Sequence, residues 1–350
     1  MGAANVRELL CCHGFHRQAA VQTALVAADC WTLGQTNEDV GQAVPVNEDD
    51  AKFLGKGHEF ATQQFKSHLT CERNWNGILT SEAFAILTVF AMSKFSKAAA
   101  GTGFKYTSLM SDPVADGIDM FTNMFVDTIR QGATDVHDMA LIGLVCDEFT
   151  VTLNSGPGLE NATFTSRWVG CGKYVSPSTV VVPVVTAEHF LNAGGASSIT
   201  IIANDYLATN KFNTLSFGVR NNLRRERMYY PGSGTLDGYQ IGGRMQHGDR
   251  EAFLNWTVDF VDGSDELTKM LALTTGTGVV TVGGAVIGAG PSTHEAKATF
   301  QQIGIKSAVI GNSSGIVTVA CDASVQKHSA NGVVTFDATC EKDEIGTAAA

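Results

Sequence analysis

Phe149-Thr150-Val151-Thr152-Leu153, running into Asn154-Ser155-Gly156-Pro157-Gly158, decides the fold of this 350-residue chain. Apolar and hydroxyl side chains alternate with period two, which puts Phe149, Val151 and Leu153 on one face of a half-buried strand. Asn, Ser, Gly and Pro then turn the chain. From Asn161 to Val169 the alternation resumes with Ala162, Phe164 and Trp168 on one face, so the whole stretch reads as a hairpin. The same order returns downstream. Ala308-Val309-Ile310 leads into Asn312-Ser313-Ser314-Gly315, after which Val317, Val319, Cys321, Ala323 and Val325 alternate with small or polar neighbours. Asn154 and Asn312 open turns 158 positions apart (312 − 154), and His137 and His294, each ahead of its hairpin, are 157 apart (294 − 137).

A second match lies upstream of each hairpin. Trp75–Thr80 reads as a short strand, followed by Ser81-Glu82 and the apolar set Ala83, Ile86, Leu87 and Phe90. That spacing is a helical stripe behind a cap. Downstream, Trp256, Val258 and Phe260 alternate with Thr257 and Asp259. The segment 262–266 then caps a helix carrying Leu267, Met270 and Leu271, with Asp265 and Glu266 where the helix dipole favours anions. Ser81 and Ser264 are 183 apart (264 − 81), so the first half holds about 25 extra residues between helix and hairpin, assigned to an enlarged loop over Phe95–Gly117. The expected fold class is mainly β with a minor helical part: two similar β-sandwich or barrel domains, residues 1–185 and 186–350, each flanked by a short helix. Pro177, Pro183 and Gly194-Gly195 mark the junction.

Composition narrows the function. With 24 Lys+Arg against 35 Asp+Glu the formal net charge is −11, wrong for a protein that grips nucleic acid through phosphate contacts. The 37 glycines and 17% charged residues suit short strands and many turns. No stretch approaches the roughly 18 apolar residues of a membrane span. Met1–Val6 opens without an apolar signal core, and Val6 stands where a myristoylation signal needs Ser or Thr, so folding in the cytoplasm of the producing cell is expected. Among the eight cysteines, Cys146, Cys321 and Cys340 sit in strand-like alternation and read as reduced core thiols.

Catalytic and metal-binding patterns are weak. Cys11-Cys12-His13 with His16 lacks the paired, spaced ligands of a structural zinc site. There is no GxSxG nucleophile elbow, since Gly311-Asn312-Ser313-Ser314-Gly315 is the hairpin turn, and no HExxH, P-loop or GxGxxG; Gly276-Thr277-Gly278 opens a Gly/Val/Thr strand region instead. His137 and His294 read as a repeated structural position. No catalytic residue, cofactor or metal is assigned, and the chain is expected not to be an enzyme.

The order of strand, capped helix and hairpin in each half, together with Gly238–Met245 and Asp249-Arg250-Glu251-Ala252, resembles the tail tube proteins of long-tailed bacteriophages. The resemblance covers most of the chain and rests on pattern and order. It implies a structural virion protein whose β-sandwich domains close into rings and stack into a helical tube, the conduit for DNA ejection into the host. Six domains make a ring in that family, so two per chain imply a homotrimeric ring with pseudo-sixfold symmetry in preference to a hexamer. It further implies tail terminator, tape measure and tail-tip proteins as partners, DNA passing without specific binding, no membrane, and a virion location. The alternatives are another virion component, a tail-tip or capsid decoration protein, or a β-sandwich carbohydrate-active enzyme.

Charged loops are the candidate contacts between rings. Glu48, Asp49 and Asp50 lie in the acidic, turn-rich segment Gly34–Gly57, read as an arm reaching the next ring. Arg220, Arg224, Arg225 and Arg227 form the one basic cluster and are expected to pair with that arm on a neighbour, in preference to the alternative of a nucleic-acid patch, since tight DNA binding would defeat a conduit. The acidic turn Glu48-Asp49-Asp50 and the pairs Asp147-Glu148 and Asp265-Glu266 are candidates for an acidic lumen that DNA does not stick to, the alternative for each being an ordinary solvated loop or helix start.

Overall fold

A computed structural model of the chain describes residues 8–10, 42–48, 64–110, 120, 123–131, 134–155, 162–170, 174–175, 189–191, 197–209, 211–224, 235–236, 239–240, 248–261, 264–313, 315–343 and 345. The chain is mainly β. The first half runs β1 (Glu8–Leu10), β2 (Gln42–Glu48), β3 (Gln64–Ile78), α1 (Ser81–Met92), β4 (Phe95–Ala100), β5 (Gly103–Met110), β6 (Asn123–Gln131), β7 (Thr134–Asn154), β8 (Thr163–Gly170) and β9 (Tyr174–Val175). The second runs β10 (Ser198–Ile201), β11 (Asn204–Asp205), β12 (Phe212–Arg220), β13 (Thr235–Leu236), β14 (Tyr239–Gln240), β15 (Glu251–Asp259), α2 (Glu266–Leu271), β16 (Thr275–Val286), β17 (Thr293–Ser313), β18 (Ile316–Gln326) and β19 (Val334–Cys340).

The pairings repeat. In the first half β1 pairs β6, β2 pairs β3, β3 pairs β8, and β7 pairs β6, β8 and β9. In the second, β10 pairs β16, β12 pairs β15, β15 pairs β18, and β17 pairs β16, β18 and β19. All twelve pairings are antiparallel, and the two sets match strand for strand in chain order. Even the irregularities correspond. The β7–β8 register shifts between Cys146 and Glu148, the β17–β18 register between Ile305 and Ser307. Each bulge lies within a 21-residue strand whose first part pairs β6 or β16 and whose last part pairs β8 or β18.

The extra residues of the first half form a hairpin, not the enlarged loop expected over Phe95–Gly117. β4 and β5 pair across a turn at Gly101, which has φ +60, and β5 then pairs β19. Alternation of Phe104, Tyr106, Ser108 and Met110 carries β5, with the last three buried, while the Lys/Ala/Gly content of the stretch hid it. Within the expected acidic arm Gly34–Gly57, Gln42–Glu48 is the strand β2, paired antiparallel with β3.

A continuous antiparallel sheet crosses both halves in the order β2, β3, β8, β7, β12, β15, β18, β17. The junction is β7–β12, where Glu148–Asn154 pairs Thr214–Arg220 over seven consecutive residues. One face is apolar and buried: Trp75, Trp168, Val151, Phe217, Trp256 and Val319 represent six of its strands. The other face is largely hydroxyl, amide and charged.

Against the apolar face lies α1, and here the expectation of a flanking helix fails. All twelve of its residues are buried. Its sequence is apolar on every side, with Phe84, Val89 and Ala91 filling positions outside the Ala83/Ile86/Leu87/Phe90 stripe, and such a helix belongs inside. Thr80 caps it by accepting from the Ala83 N–H at 3.1 Å, and Ser93 closes it in the left-handed conformation at φ 53. Phe84 then packs edge-on against Phe217 and Phe336 of the second half at centroid distances of 6.3 and 6.1 Å. The buried residues of both halves form one cluster. By contrast, α2 spans only six residues, and Leu271 is 79% exposed.

Candidate functional site

The sheet's polar face carries a row of alternating charge across the β7–β12 junction. Arg167 on β8, Glu148 on β7, Arg220 on β12 and Glu251 on β15 are successive register neighbours. Arg220 Nε lies 3.6 Å from Glu148 and its Nη1 3.9 Å from Glu251, while its guanidinium sits 4.9 Å from the Phe253 ring centroid. Arg167 reaches Glu72 on β3 at 3.1 Å and Asp147 at 3.9 Å. These pairs are solvated and worth about 0–1 kcal/mol each, so their effect is to cancel charge more than to stabilise. The rest of the face is largely neutral, with Thr150, Thr152, Thr163, Thr165, Ser216 and Thr257 half-buried or exposed.

Of the residues expected to bridge rings, Arg220 is therefore the last residue of a strand and is engaged inside its own chain. Arg224 is exposed, and Glu48 ends β2 opposite Gln64. Asp49, Asp50, Arg225 and Arg227 lie outside the described residues, as do Cys11, Cys12, His13 and His16. The structure does not bring the two charged groups together within one described site. The expected acidic lumen also loses members. Glu148 is paired, and Glu266 is buried at 1% exposure, accepting from the Tyr206 hydroxyl at 3.2 Å. Asp265 holds Lys269 at 3.1 Å and accepts from Asn204 at 2.8 Å instead of capping α2.

A groove of about 610 Å³ opens beside this row, lined by Arg220, Arg250, Lys306 and Lys327 with Glu251 and Asp322 among others. Sequence reading gave no sign of it, because its charges come from β12, β17 and the strands and ends of β15 and β18, which only strand pairing brings together.

A second cluster joins the halves. His294, at the start of β17 and fully buried, sets its Nδ1 2.7 Å from Ser81 Oγ in the first turn of α1. Ser81 Oγ is also 3.0 Å from Glu82, and His189 stacks on the His294 ring at 4.1 Å. Burial holds the imidazole below its ordinary range, assisted by His189 and opposed by Glu341, and pushes the Glu82 carboxyl up. Among the described residues His189, His294 and Glu341 bring ligand atoms within 4.8 Å of one another and are the group that could hold a metal. The two rings lie within 22° of parallel, so their in-plane lone pairs run side by side and do not converge as a tetrahedral centre requires. Ser81 is as buried as His294, and the pair is a polar clasp between α1 and β17. Sequence reading singled out His294 but had no signal for His189.

No family model matches the chain, and no curated protein matches its sequence. No helix among the described residues is long and apolar enough to cross a membrane.

Proposed function

We propose that the protein is a structural subunit that polymerises into rings and tubes, the tail tube of a long-tailed bacteriophage, with the sheet's polar face lining a conduit for DNA. The observation that carries this reading is the antiparallel sheet that runs through both halves by a repeated pairing scheme, apolar on one face and polar on the other. Such a sheet has a core side to pack and a second side to leave wet. Hydroxyls and paired charges on that second side suit a wall past which a polyanion slides, with Glu251 and Asp322 interspersed among the cations Arg220, Arg250, Lys306 and Lys327 of its groove. The repeat supports three chains per ring, each supplying two similar sectors, and the β4–β5 hairpin, present in one sector only, makes the sixfold symmetry approximate.

Negative-stain and cryo-electron microscopy of the purified full chain test this. Stacked rings or tubes with three chains per ring are expected. Monomers at every concentration, or closed shells, would remove the tube reading, and six chains per ring would remove the trimer.

A further inference from the structure

The repeat leaves one strand edge without its counterpart. In the first half, Glu148–Asn154 of β7 pairs β8 through one edge and β12, a strand of the second half, through the other. The matching stretch of β17, Ser307–Ser313, pairs β18 through one edge, and among the described residues no strand meets the other. β2, which corresponds to β12, pairs β3 and no further described strand.

The apolar face is uncovered at that same edge. Val151, Leu79 and Ala162 are each 0% exposed, whereas their counterparts Ile310, Phe260 and Val317 are 53%, 40% and 42% exposed. The correspondence is set by hydrogen bonds as well as register: the Leu79 N–H donates to Ala162 O at 2.6 Å, and the Phe260 N–H to Val317 O at 2.8 Å. What closes over the first trio belongs to the second half. β12 pairs β7, and Leu191 donates to Leu79 O and accepts from the Ala162 N–H, both at 3.0 Å.

We infer that a second copy of this chain closes over the other trio: its β2 docks antiparallel on the open edge of β17 as β12 docks on β7, joining copies head to tail. An unpaired edge beside exposed apolar side chains is a strand-addition site, and a heterologous contact of this kind closes into a ring when its rotation allows. The occupant is specified by the repeat, because the first half is the unit that carries β12's counterpart. Gly218, Val219 and Arg220 face Thr150, Phe149 and Glu148, and the same register places Gln42, Ala43 and Val44 opposite Val309, Ala308 and Ser307. This inference rests on the assembly reading and names the surface through which it operates.

The test is disulfide trapping in the assembled full-length chain. Gln42 replaces Gly218 of the internal joint, so the linkage is placed two positions on, with Val44→Cys and Ser307→Cys combined. Both single variants and the shifted pair Val44→Cys with Val309→Cys serve as controls. Directly opposed antiparallel positions fall within disulfide range, while a shift of two residues does not. Oxidation of the matched pair is expected to give a ladder of linked copies, with the 44–307 peptide identified by mass spectrometry. Ile310→Lys, a charge placed in the closed joint, is expected to raise the concentration needed for assembly about tenfold or more with an unchanged melting temperature. Rings that form without linkage of the matched pair, or with equal linkage of the shifted pair, overturn the strand docking while leaving the assembly reading intact. So does normal assembly of the Ile310→Lys chain. A chain that stays monomeric at every concentration overturns both.

Discussion

Trp75 and Trp256 occupy the same position in two copies of one pairing scheme. Trp75 faces Ser166 across β3–β8, Trp256 faces Cys321 across β15–β18, and both indoles are buried. Each sits in the strand that leads into its half's helix. Their neighbours differ: Trp75 meets the edge of Phe164 at 4.5 Å, and Trp256 lies tilted against Tyr206 at 6.5 Å. Position is repeated, while packing partners have diverged.

Truncation at either tryptophan should therefore weaken one shared core. Trp75→Ala and Trp256→Ala are each expected to cost about 3–5 kcal/mol. Because Phe84 of α1 packs on second-half rings, calorimetry is expected to show a single transition lowered by both. Two separate transitions, each sensitive to one variant, would contradict a shared core.

Gly218 sits at the junction of the halves, between Thr150 and Phe253. A Cβ there would collide with the carbonyl oxygen of Phe149, a backbone atom that cannot swing aside. Gly218→Ala is expected to destabilise by about 2–4 kcal/mol, read from urea midpoints. A neutral result would mean that β12 and β7 are not held as closely as described.

Asn221 ties three segments together. Its side-chain amide donates to Ala91 O in the last turn of α1 at 3.0 Å and to Cys146 O at 2.8 Å, and its oxygen accepts from Arg250 Nε at 2.9 Å. Arg250 also donates to Ala91 O at 2.7 Å, so one orphan helix carbonyl is satisfied twice. Asn221→Leu, similar in size, is expected to lose about 2–3 kcal/mol in denaturant titrations by stranding buried polar groups.

The His294 clasp makes stability depend on pH. Burial, and then His189, hold its folded value below the ordinary 6.5, so the unfolded chain binds the extra proton first. Stability from this group is full above about 6.5 and is lost as pH falls through the folded value. Glu82 acts oppositely: burial raises it from 4.5, so its contribution declines as pH climbs from there through the raised value. His294→Gln is expected to flatten the loss below pH 6.5 in urea midpoints taken at half-unit steps. An unchanged slope would exclude His294 as its source.

Among the described thiols, Cys146, Cys321 and Cys340 are buried and form no disulfide. Burial pushes Cys321 and Cys340 up to about 12 and Cys146 well above the thiol range. Alkylation requires thiolate and access. Iodoacetamide at pH 8 is expected to leave these three unmodified in native buffer and to label them in urea, as peptide mass spectrometry would show.

Much of this was legible locally. Period-two alternation located β7, β8, β17 and β18, because a strand with one wet face writes its burial directly into the sequence. The β4–β5 hairpin was missed because Ala and Lys carry little strand signal. The helix stripe at Ala83–Phe90 marked α1 correctly but misjudged its surroundings, since four apolar positions fit a surface helix as well as a central one. The polar row Arg167–Glu148–Arg220–Glu251 had no sequence signature at all, its members being scattered over more than a hundred residues and aligned only by register.

By itself, the sequence determined that the chain is built of strands, that its two parts share an order of elements, and that Cys146, Cys321 and Cys340 belong to a core. Each of these follows from side-chain periodicity, a property of neighbours along the chain. Only the tertiary structure decided that β12 of one half completes β7 of the other, that α1 is enclosed by both, and that no strand among the described residues meets the matching edge of β17. Those are facts of strand pairing between distant segments, whose backbone hydrogen bonds leave no trace in the identity of the residues that make them.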